Sequence, residues 1–297
     1  MINISALPRG QASPRARVDR ARRTRMIGIM ASSESGSWAS ALREQYKDGA
    51  NLGARMRLHQ RFSTNQYGIF RWVFDRYAFP ESARVLELGT GTAQLWKTNA
   101  DRIPAGWRIT LADFSPGILR DGIENLRALE RRFDAIAADA QALPFPDRRF
   151  DAVIANFMLY HVPDIARALR EFRRVLRPGG SVYAATMSTA NMREFDEIVR
   201  RFIPGASTGR APTRFGLDNG YEYFAKAFKR ATVERYPDAL VVTEAAPVMD
   251  YLNSMSSMTG RATVEQKLAM REYLEAEIAA HGSIRITKDM GLLVGTM

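Results

Sequence analysis

Two glycines, Gly89 and Gly91, follow a short apolar run and precede a helical pattern, so the backbone can turn sharply there and approach a ligand closely. Gln94 stands where the dinucleotide fingerprint would have its third glycine. Glu87 precedes the turn, and its carboxylate would repel a phosphate but suit an amine-bearing group. The turn therefore predicts a site for a nucleotide-like ligand that carries an amine. The alternative is a strand-end turn that binds nothing.

Two further carboxylates stand at the ends of predicted strands. Asp113 ends the second strand, where an acid accepts both hydroxyls of a ribose. As a helix cap it would duplicate Ser115, which already supplies one. Asp139 ends the third strand, where a carboxylate can accept a hydrogen bond from an exocyclic amine while Ala140 and Leu143 pack on a flat base. The two positions predict the ribose and the base of a nucleoside.

The fourth predicted strand ends at Asn156, and Phe157, Tyr160 and His161 follow it. His161 is the first candidate for a general base, with Tyr160 beside it, because a histidine titrates near working pH. The alternative is a histidine that only shapes this loop. His59 is the second candidate base, the alternative being a partly exposed helical residue. The chain has three histidines and no cysteine, so we expect no metal site.

These residues need a sheet that brings the ends of separate strands together. Short apolar runs alternate with helical patterns, which predicts a parallel sheet with helices on both faces and right-handed connections. Ligands bind such sheets at the carboxyl ends of the strands, near the point where strand order reverses. The predicted strands cover residues 83–88, 107–112, 134–138, 150–156 and 181–186.

The two ends of the chain differ from this pattern. Residues 1–25 contain seven arginines and one aspartate without apolar periodicity, which predicts a disordered basic tail. The tail holds most of the net charge of +11, so the body is only moderately basic, and a nucleic-acid-binding arm is the alternative interpretation of the tail. At the other end, apolar residues 284–287 and 292–296 are split by 289–291, which predicts a hairpin or a bulge.

Residues 83–187 resemble the class I S-adenosylmethionine-dependent methyltransferases, specifically the small-molecule group similar to the ubiquinone/menaquinone methylases. The resemblance rests on the order and spacing of Val-Leu-Glu-Leu-Gly-Thr-Gly-Thr, Asp-Phe-Ser, Leu-Pro-Phe, Phe-Asp-Ala-Val-Ile-Ala-Asn and Leu-Arg-Pro-Gly-Gly. It implies an α/β, Rossmann-like, doubly wound, seven-stranded, mostly parallel sheet with a reversed last strand, N-terminal helices and a helical cap. Ala93 departs from the family, which often has a third glycine there.

The resemblance also implies roles for individual residues, with S-adenosylmethionine as cofactor. The glycine turn would hold the methionine part, Asp113 the ribose, and Asp139 with Ala140 the adenine. Similar enzymes close N-terminal helices over the site, which places Phe62 and Tyr67 near the cofactor and Tyr46 on the lid. The expected cofactor-binding residues are Glu87, Gly89, Thr90, Gly91, Asp113, Phe114, Asp139, Ala140, Asn156, Phe62 and Tyr67. The expected substrate-binding residues are Tyr46, Phe157 and His161.

The expected organisation has five parts: a disordered basic tail (1–35), an N-terminal helical lid (36–80), the S-adenosylmethionine-binding core (81–188), a helical substrate cap with strand six (189–283) and a terminal strand that completes the sheet (284–297). We expect a cytoplasmic protein with no membrane partner, because no apolar run is long enough to span a bilayer. A homo-oligomer formed through the N-terminal helices is a further expectation.

The expected reaction is methyl transfer to a small apolar or aromatic natural product, because the predicted lid is rich in aromatic residues and methionine. The N-terminal region also resembles the carbon methyltransferases of teleocidin biosynthesis, which implies methylation of a prenylated indole with cyclisation. Two alternatives come from other classes. One is a nucleic-acid (RNA) methyltransferase or binding protein, although residues 156–159 differ from the motif of base-amine methylators. The other is a non-catalytic scaffold with a cofactor fold.

Overall fold

The computed structural model describes residues 25–29, by their backbone, and residues 57–206, 214–255 and 261–297. In these ranges the chain forms one eight-stranded mixed sheet of order β1-β4-β3-β2-β5-β6-β8-β7. The strands are β1 (Arg25–Ile29), β2 (Arg84–Leu88), β3 (Arg108–Asp113), β4 (Phe133–Ala137), β5 (Phe150–Ile154), β6 (Leu176–Met187), β7 (Arg230–Val242) and β8 (Ile284–Thr296). The α-helices are α1 (Ile69–Phe74), α2 (Gln94–Thr98), α3 (Pro116–Asn125), α4 (Ile165–Val175), α5 (Arg193–Phe202), α6 (Gly220–Ala227), α7 (Ala245–Asn253) and α8 (Val264–His281).

Strands β2 to β6 are parallel to one another, as the alternation of apolar runs and helices predicts. Strand β2 pairs with β3 on one side and with β5 on the other, and β3 and β5 pair onward with β4 and β6. The chain therefore builds outward from β2 to β4 and then returns to the other side of β2. This reversal opens a crevice at the carboxyl ends of β2 and β5, which is where such sheets bind ligands.

Helices cover both faces of these strands, which is why the strands are apolar almost throughout. Leu86 of β2 faces a buried cluster that includes Phe172 of α4. The adjacent Val85 faces the opposite side, in a second buried cluster that includes Trp96 of α2. Successive side chains of a strand point to opposite faces, so a single residue step along β2 moves from one core to the other.

The helices after the strands begin at short polar side chains. Ser115 caps α3, since its side chain accepts a hydrogen bond from the Ile118 N–H at 3.4 Å and Pro116 occupies the first helical position. Asp164 caps α4 by accepting from the Arg167 N–H at 2.9 Å. The predicted cap at Ser115 is confirmed, which leaves the Asp113 carboxylate available for other contacts.

The last strand is reversed, and it lies between β6 and β7, antiparallel to both. The predicted hairpin or bulge at 289–291 is wrong, because β8 continues unbroken through these residues. Gly291 is not a turn residue. A Cβ added to it would lie 2.3 Å from the Glu234 carbonyl oxygen of β7, so glycine is required for the close approach of the two strands.

Part of the predicted disordered tail is a strand. Residues 25–29 form β1, which pairs in parallel with β4 and gives the sheet an eighth strand at its edge. The sequence Arg-Met-Ile-Gly-Ile is apolar enough to extend a sheet, and its backbone satisfies the open edge of β4. Residues 1–24 and 30–35, which complete the predicted tail, lie outside the described residues.

A third buried cluster lies under α5, α7 and α8 and includes Leu58 and Phe62 of a helical segment at 57–62. The following residues are tied to β7, where the buried Asp238 accepts hydrogen bonds from the Ser63 hydroxyl at 2.7 Å and the Asn65 N–H at 3.0 Å. Residues 36–56 of the predicted lid, including Tyr46, lie outside the described residues, so the lid and an oligomer through it stay predictions. No helix in the described ranges is both long and apolar enough to cross a membrane.

Candidate active site

The turn between β2 and α2 is built from residues in left-handed backbone conformations. Gly89 and Gly91 have φ angles of 65° and 54°, and Ala93, at the start of α2, has a φ of 59°. Alanine adopts this conformation only with strain, which explains why the family that the sequence resembles often has glycine at this position. A Cβ added to Gly91 would meet no atom within 4 Å, so this side of the turn faces open space.

The other glycine of the turn is in close contact with a neighbouring loop. A Cβ added to Gly89 would lie 2.5 Å from the Cβ of Met158, which belongs to the loop after β5. The Met158 carbonyl in turn accepts a hydrogen bond from the His161 N–H at 2.9 Å. The contact therefore brings the His161 loop directly against the glycine turn.

Replacing Gly89 with alanine is expected to lower the free energy of unfolding by about 1–3 kcal/mol, because the new methyl group combines a left-handed backbone with overlap on Met158. Affinity for S-adenosylmethionine, the cofactor that the sequence resemblance implies, should fall at least tenfold, since the turn must shift to relieve the overlap. Urea unfolding and calorimetric titration would measure the two effects. Gly179→Ala is the control, because Gly179 has a φ of 78° but no atom within 4 Å of its added Cβ. Equal losses in both variants would exclude the Met158 contact as the cause.

Glu87 lies buried beneath the turn, with 4% of its surface exposed. Its carboxylate accepts hydrogen bonds from the Thr90 hydroxyl and from the Trp96 indole N–H, the latter at 2.6 Å. Burial, and to a smaller extent the charge of Asp113, raise the pKa of Glu87 to about 7 despite these hydrogen bonds. The ionised form of a buried carboxylate with a raised pKa would be stabilised by a nearby cation, such as the ammonium group of an amino acid.

Asp113 at the end of β3 faces the same turn. Its carboxylate accepts hydrogen bonds from the Gly91 N–H at 3.0 Å and from the Ser115 N–H at 2.9 Å. Burial raises its pKa, while the backbone donors of Ser115, Gly91 and Phe114 oppose that rise. The carboxylate is thus held rigidly by the backbone, and its remaining acceptor capacity would suit a pair of hydroxyl groups.

Asp139 follows β4, next to Asp113 in the sheet, where the Ala138 N–H donates to the Asp113 carbonyl at 3.0 Å. The Asp139 carboxylate accepts from the backbone N–H of Gln141 at 2.8 Å and from its side-chain amide. Ala140 is buried in the core beside it. The three predicted acids Glu87, Asp113 and Asp139 therefore do stand at the carboxyl edge of neighbouring strands.

The side-chain amide of Asn156 is hydrogen-bonded to two partners that are distant in sequence. Its side-chain NH₂ donates to the Tyr77 hydroxyl at 3.0 Å, and its oxygen accepts from the Ala185 N–H of β6 at 3.0 Å. Burial raises the pKa of Tyr77 well above its usual range, and the nearby Glu87 charge adds to this rise. Asn156 thus joins β6 to the segment before β2, and both ends of its amide are engaged within the protein.

The segment after Asn156 presents aromatic groups at the crevice. Phe157 has a φ of 54°, which is strained for a bulky residue, and its ring meets Phe70 edge-on at 6.2 Å between centroids. The rings of Tyr160 and His161 are 4.4 Å apart. Burial lowers the pKa of His161 to about 4, so its imidazole is neutral at physiological pH. The structure therefore brings three of the predicted catalytic and substrate residues together next to the glycine turn.

The structure does not bring the other predicted residues to this turn. His59 meets Tyr251 of α7 at 6.1 Å between ring centroids, and Phe62 is buried in the third cluster. The Tyr67 hydroxyl donates to Asp75 at 2.7 Å at the exposed end of α1. The segment is fixed to β7 through Asp238, and the placement of these residues near the cofactor stays a prediction. Tyr46 lies outside the described residues.

Three contributors to the site escaped the sequence interpretation. Met158 packs on Gly89, Trp96 donates to Glu87, and Gly122 of α3 passes so close to the turn that an added Cβ would lie 2.6 Å from the Gly91 carbonyl oxygen. A glycine inside a helical pattern is a signal of close packing, so Gly122 could have been found from the sequence. The contacts of Met158 and Trp96 depend on the fold and leave no local signal.

The sequence around this site is similar to that of known methyltransferases. Residues 86–184 match the family model described as a methyltransferase domain. Over 146 residues the chain is 33% identical to a demethylmenaquinone methyltransferase of Mycolicibacterium gilvum. This match covers 49% of this chain and 60% of the relative. It is 32% identical over 130 residues to a ubiquinone/menaquinone biosynthesis C-methyltransferase of Pectobacterium atrosepticum, covering 43% and 52%. The chain thus spans little more than half the length of these curated relatives.

Solved structures of low identity share the fold. A methyltransferase from an antibiotic biosynthesis pathway of Anabaena variabilis superposes with a TM-score of 0.55 at 15% identity, covering 77% of this chain and 96% of that one. The YcgJ protein of Bacillus subtilis gives a TM-score of 0.52 at 14% identity, covering 76% and 97%. These likenesses confirm the predicted Rossmann-like sheet. The family match assigns residues 86–184 of this fold to a methyltransferase domain.

The residues of the site fit this cofactor. Open space at Gly91 admits a ligand against the backbone. Glu87 is a buried acid whose donors, Thr90 and Trp96, are both uncharged, and Asp113 offers a fixed carboxylate on the adjacent strand. These features match an amino acid joined to a ribose. A dinucleotide, which the sequence already disfavours at Gln94, fits less well, because the Glu87 carboxylate would repel its pyrophosphate.

Proposed function

We propose that this protein transfers a methyl group from S-adenosylmethionine to a carbon atom of a small aromatic or prenylated acceptor. The observation that carries the proposal is the alignment of Glu87, the glycine turn and Asp113 at one sheet edge, with the Phe157–His161 loop packed against them. Glu87 and the turn would hold the amino-acid part of the cofactor, Asp113 its ribose, and Asp139 with Ala140 its adenine. When bound, S-adenosylmethionine supplies an electrophilic methyl group on a sulfonium centre.

The residues of this chain would act mainly by binding and orientation. The rings of Phe70 and Phe157 meet edge-on next to Met158, which packs on Gly89, and they would suit a flat or alkenyl acceptor and stabilise positive charge that develops on it. Partial burial of His161 limits the access of water to the loop, which would favour transfer to the acceptor over side reactions. Tyr160 lies against the His161 ring and would fix its orientation.

Carbon is the acceptor atom that the site supports best. An imidazole with a pKa of about 4 is unprotonated at neutral pH, yet it binds a proton only weakly. Such a base is poorly matched to a phenol or an amine whose proton must leave as the methyl group arrives. A carbon nucleophile places a smaller demand on it, and the curated relatives include C-methyltransferases.

The acceptor itself has two candidates. One is the ring carbon of a quinone precursor, as the names of the curated relatives suggest. The other is the prenyl alkene of an indole natural product, whose methylation would trigger cyclisation. Incubation with S-adenosylmethionine carrying an isotopically labelled methyl group, followed by NMR location of the label, would test both. Label on oxygen or nitrogen, or in nucleic acid, would overturn the carbon assignment, and absence of S-adenosylmethionine binding would favour the scaffold alternative.

A substitution at His161 tests the role of this weak base. His161→Gln keeps a polar side chain of similar length, and we expect kcat to fall less than tenfold on a carbon acceptor, because little proton affinity is lost. Wild-type activity should show no step from His161 between pH 5.5 and 8, since its pKa of about 4 lies below this window. Measured kcat–pH profiles of both proteins would decide. A loss of about 10²–10⁴-fold would instead establish general-base catalysis.

A further inference from the structure

The connection between β4 and β5 crosses the sheet without a helix of its own. Strands β3 and β2 lie between β4 and β5, so residues 138–149 must span about 14 Å at about 4.8 Å per strand. Connections between parallel strands are usually helical, and a helix satisfies its own backbone hydrogen bonds. The backbone of this connection must therefore find other partners, and α4 supplies several of them.

Two side chains of α4, Arg174 and Glu171, hold the middle of the connection. The Arg174 guanidinium donates to the Phe145 carbonyl at 2.7 Å and to the Leu143 carbonyl at 2.9 Å. The Glu171 carboxylate accepts from the Leu143 N–H at 2.8 Å and, through both of its oxygens, from the same guanidinium. Asp147 is a further acceptor for Arg174, at 2.8 Å. One ion pair thus binds both polar groups of the Leu143 backbone.

The beginning of the connection is tied to the same helix through Gln141. Its carbonyl accepts from the Arg167 Nε–H at 2.9 Å, and its side-chain oxygen accepts from the Asp164 N–H at 3.0 Å. Its side-chain NH₂ donates to the Asp139 carboxylate at 3.1 Å, and its backbone N–H donates to the same carboxylate at 2.8 Å. The orientation of Asp139 is therefore coupled to α4 through a single intermediate residue.

Packing fixes the connection only in part. Ala140 and Leu143 are buried, but an open hollow of about 480 Å³ lies between residues 141–144 and α4. The side chains of Arg174 and Glu171 are 31% and 20% exposed, so their hydrogen bonds are less screened than those of a surface pair. These hydrogen bonds lower the pKa of Glu171 and raise the pKa of Arg174 from their ordinary values. The pair is therefore ionised at neutral pH and supplies the restraint that packing leaves out.

We propose that Glu171 and Arg174 are positioning residues for the adenine of S-adenosylmethionine, because they hold the connection that carries Asp139 and Ala140. This role rests on the proposed function, in which Asp139 accepts a hydrogen bond from the exocyclic amine of adenine. The pair acts through the backbone of Leu143 and does not touch the base. It keeps the connection in one conformation before the cofactor arrives, so little ordering remains to be done on binding. A displacement of about 1 Å would already weaken a hydrogen bond to the amine.

Calorimetric titration of the full-length protein with two ligands tests this role. S-adenosylhomocysteine has the adenosine group of the cofactor, and in S-inosylhomocysteine a carbonyl oxygen replaces the exocyclic amine. Wild type should prefer the first ligand by about tenfold or more, because in the second ligand that oxygen would face the Asp139 carboxylate. Arg174→Gln should bind S-adenosylhomocysteine about tenfold more weakly but S-inosylhomocysteine less than about threefold more weakly. The preference for the amine is then largely lost.

Two further variants separate positioning from stability and from charge. Arg174→Lys keeps the positive charge but lacks the planar fork that binds two carbonyls and Glu171 together, so it should also lose preference, by about threefold. It carries the test if Arg174→Gln does not fold, which urea unfolding would show. Arg173→Gln, an exposed neighbour on α4 with the same change in net charge, should keep the wild-type preference within about twofold.

Several outcomes would contradict this role. Unchanged preference in both Arg174 variants would overturn it and leave the proposed cofactor site intact. Equal weakening of the two ligands in both variants would make Arg174 a structural residue only. Equal binding of the two ligands by wild type would remove adenine recognition from Asp139, and the role of Arg174 with it. Failure of wild type to bind either ligand would instead overturn the proposed function itself.

Discussion

Replacing Glu87 with glutamine is expected to make the protein more stable and to weaken its binding of the cofactor. Burial raises the pKa of Glu87 from its ordinary 4.5 to about 7, so the folded state holds a proton that the unfolded state has lost. The free energy of unfolding therefore decreases as pH rises from about 4.5 to 7. Above that range the buried, ionised carboxylate destabilises the folded state by about 3 kcal/mol. Glutamine keeps an acceptor for Trp96 and avoids that cost.

The measurement is the free energy of unfolding at pH 5 and pH 8. The stability gain of Glu87→Gln should be small at pH 5 and reach about 3 kcal/mol at pH 8. Glu81→Gln, at an exposed position before the same strand, should change stability by less than 0.5 kcal/mol at either pH. A gain that is the same at both pH values would contradict the ionisation of Glu87 as its cause.

Cofactor affinity should follow the same titration in wild type. An ammonium group interacts favourably with the ionised carboxylate, so S-adenosylmethionine should bind more weakly as pH falls from 8 through 7, the pKa of Glu87 before binding. Glu87→Gln should bind at least tenfold more weakly at pH 8 and should lose this pH dependence. Calorimetry in buffers of different ionisation enthalpy would also detect the proton released on binding. Unchanged affinity in the variant would remove Glu87 from the cofactor site.

The largest expected loss of stability comes from Asp238, far from the turn. Its side chain is fully buried against Lys288, which is 6% exposed, and the two form an ion pair. Lys288 and the Ser63 hydroxyl hold the pKa of Asp238 below its usual range although burial alone would raise it. Asp238→Asn leaves the ammonium group of Lys288 buried without its counter-charge. We expect a loss of about 3–5 kcal/mol in the free energy of unfolding.

A double-mutant cycle separates the ion pair from packing. Asp238→Asn combined with Lys288→Met should be much more stable than the sum of the single changes predicts, since the uncompensated charge is removed. Glu275→Gln breaks the exposed Arg271–Glu275 pair on α8 and should cost less than 0.5 kcal/mol in the same urea unfolding measurement. A loss below 1 kcal/mol for Asp238→Asn would show that water reaches the pair.

The positions of the carboxyl-edge residues could be predicted because they follow from strand order alone. In a parallel sheet each strand ends at the same edge, so Glu87, Asp113 and Asp139 had to converge once strands were identified. The same logic places Asn156 there. It could not show that the Asn156 amide is engaged by Tyr77 and β6, because those partners are distant in sequence.

The N-terminal segment shows where local patterns fail. Phe62 and Tyr67 lie in a polar and aromatic stretch that suggests a lid over the cofactor. Their segment is held by the buried Asp238, which is more than 170 residues away and binds Ser63 and Asn65, and no local pattern reveals this contact. Likewise, Gly291 has the residue type of a turn, but the approach of β7 makes it part of a strand. In both cases the deciding contact is tertiary and leaves no local signal.

The placement of β8 has a consequence for how the protein is made. Strand β8 is synthesised after both of its partners, β6 and β7, yet it lies between them in the sheet. Until then the facing edges of β6 and β7 present unpaired backbone groups, which are templates for association with other chains. A nascent chain of this protein must therefore be kept from aggregating until residues 284–296 emerge. The arrival of β8, rather than growth of the Rossmann-like core, is the event that closes the sheet.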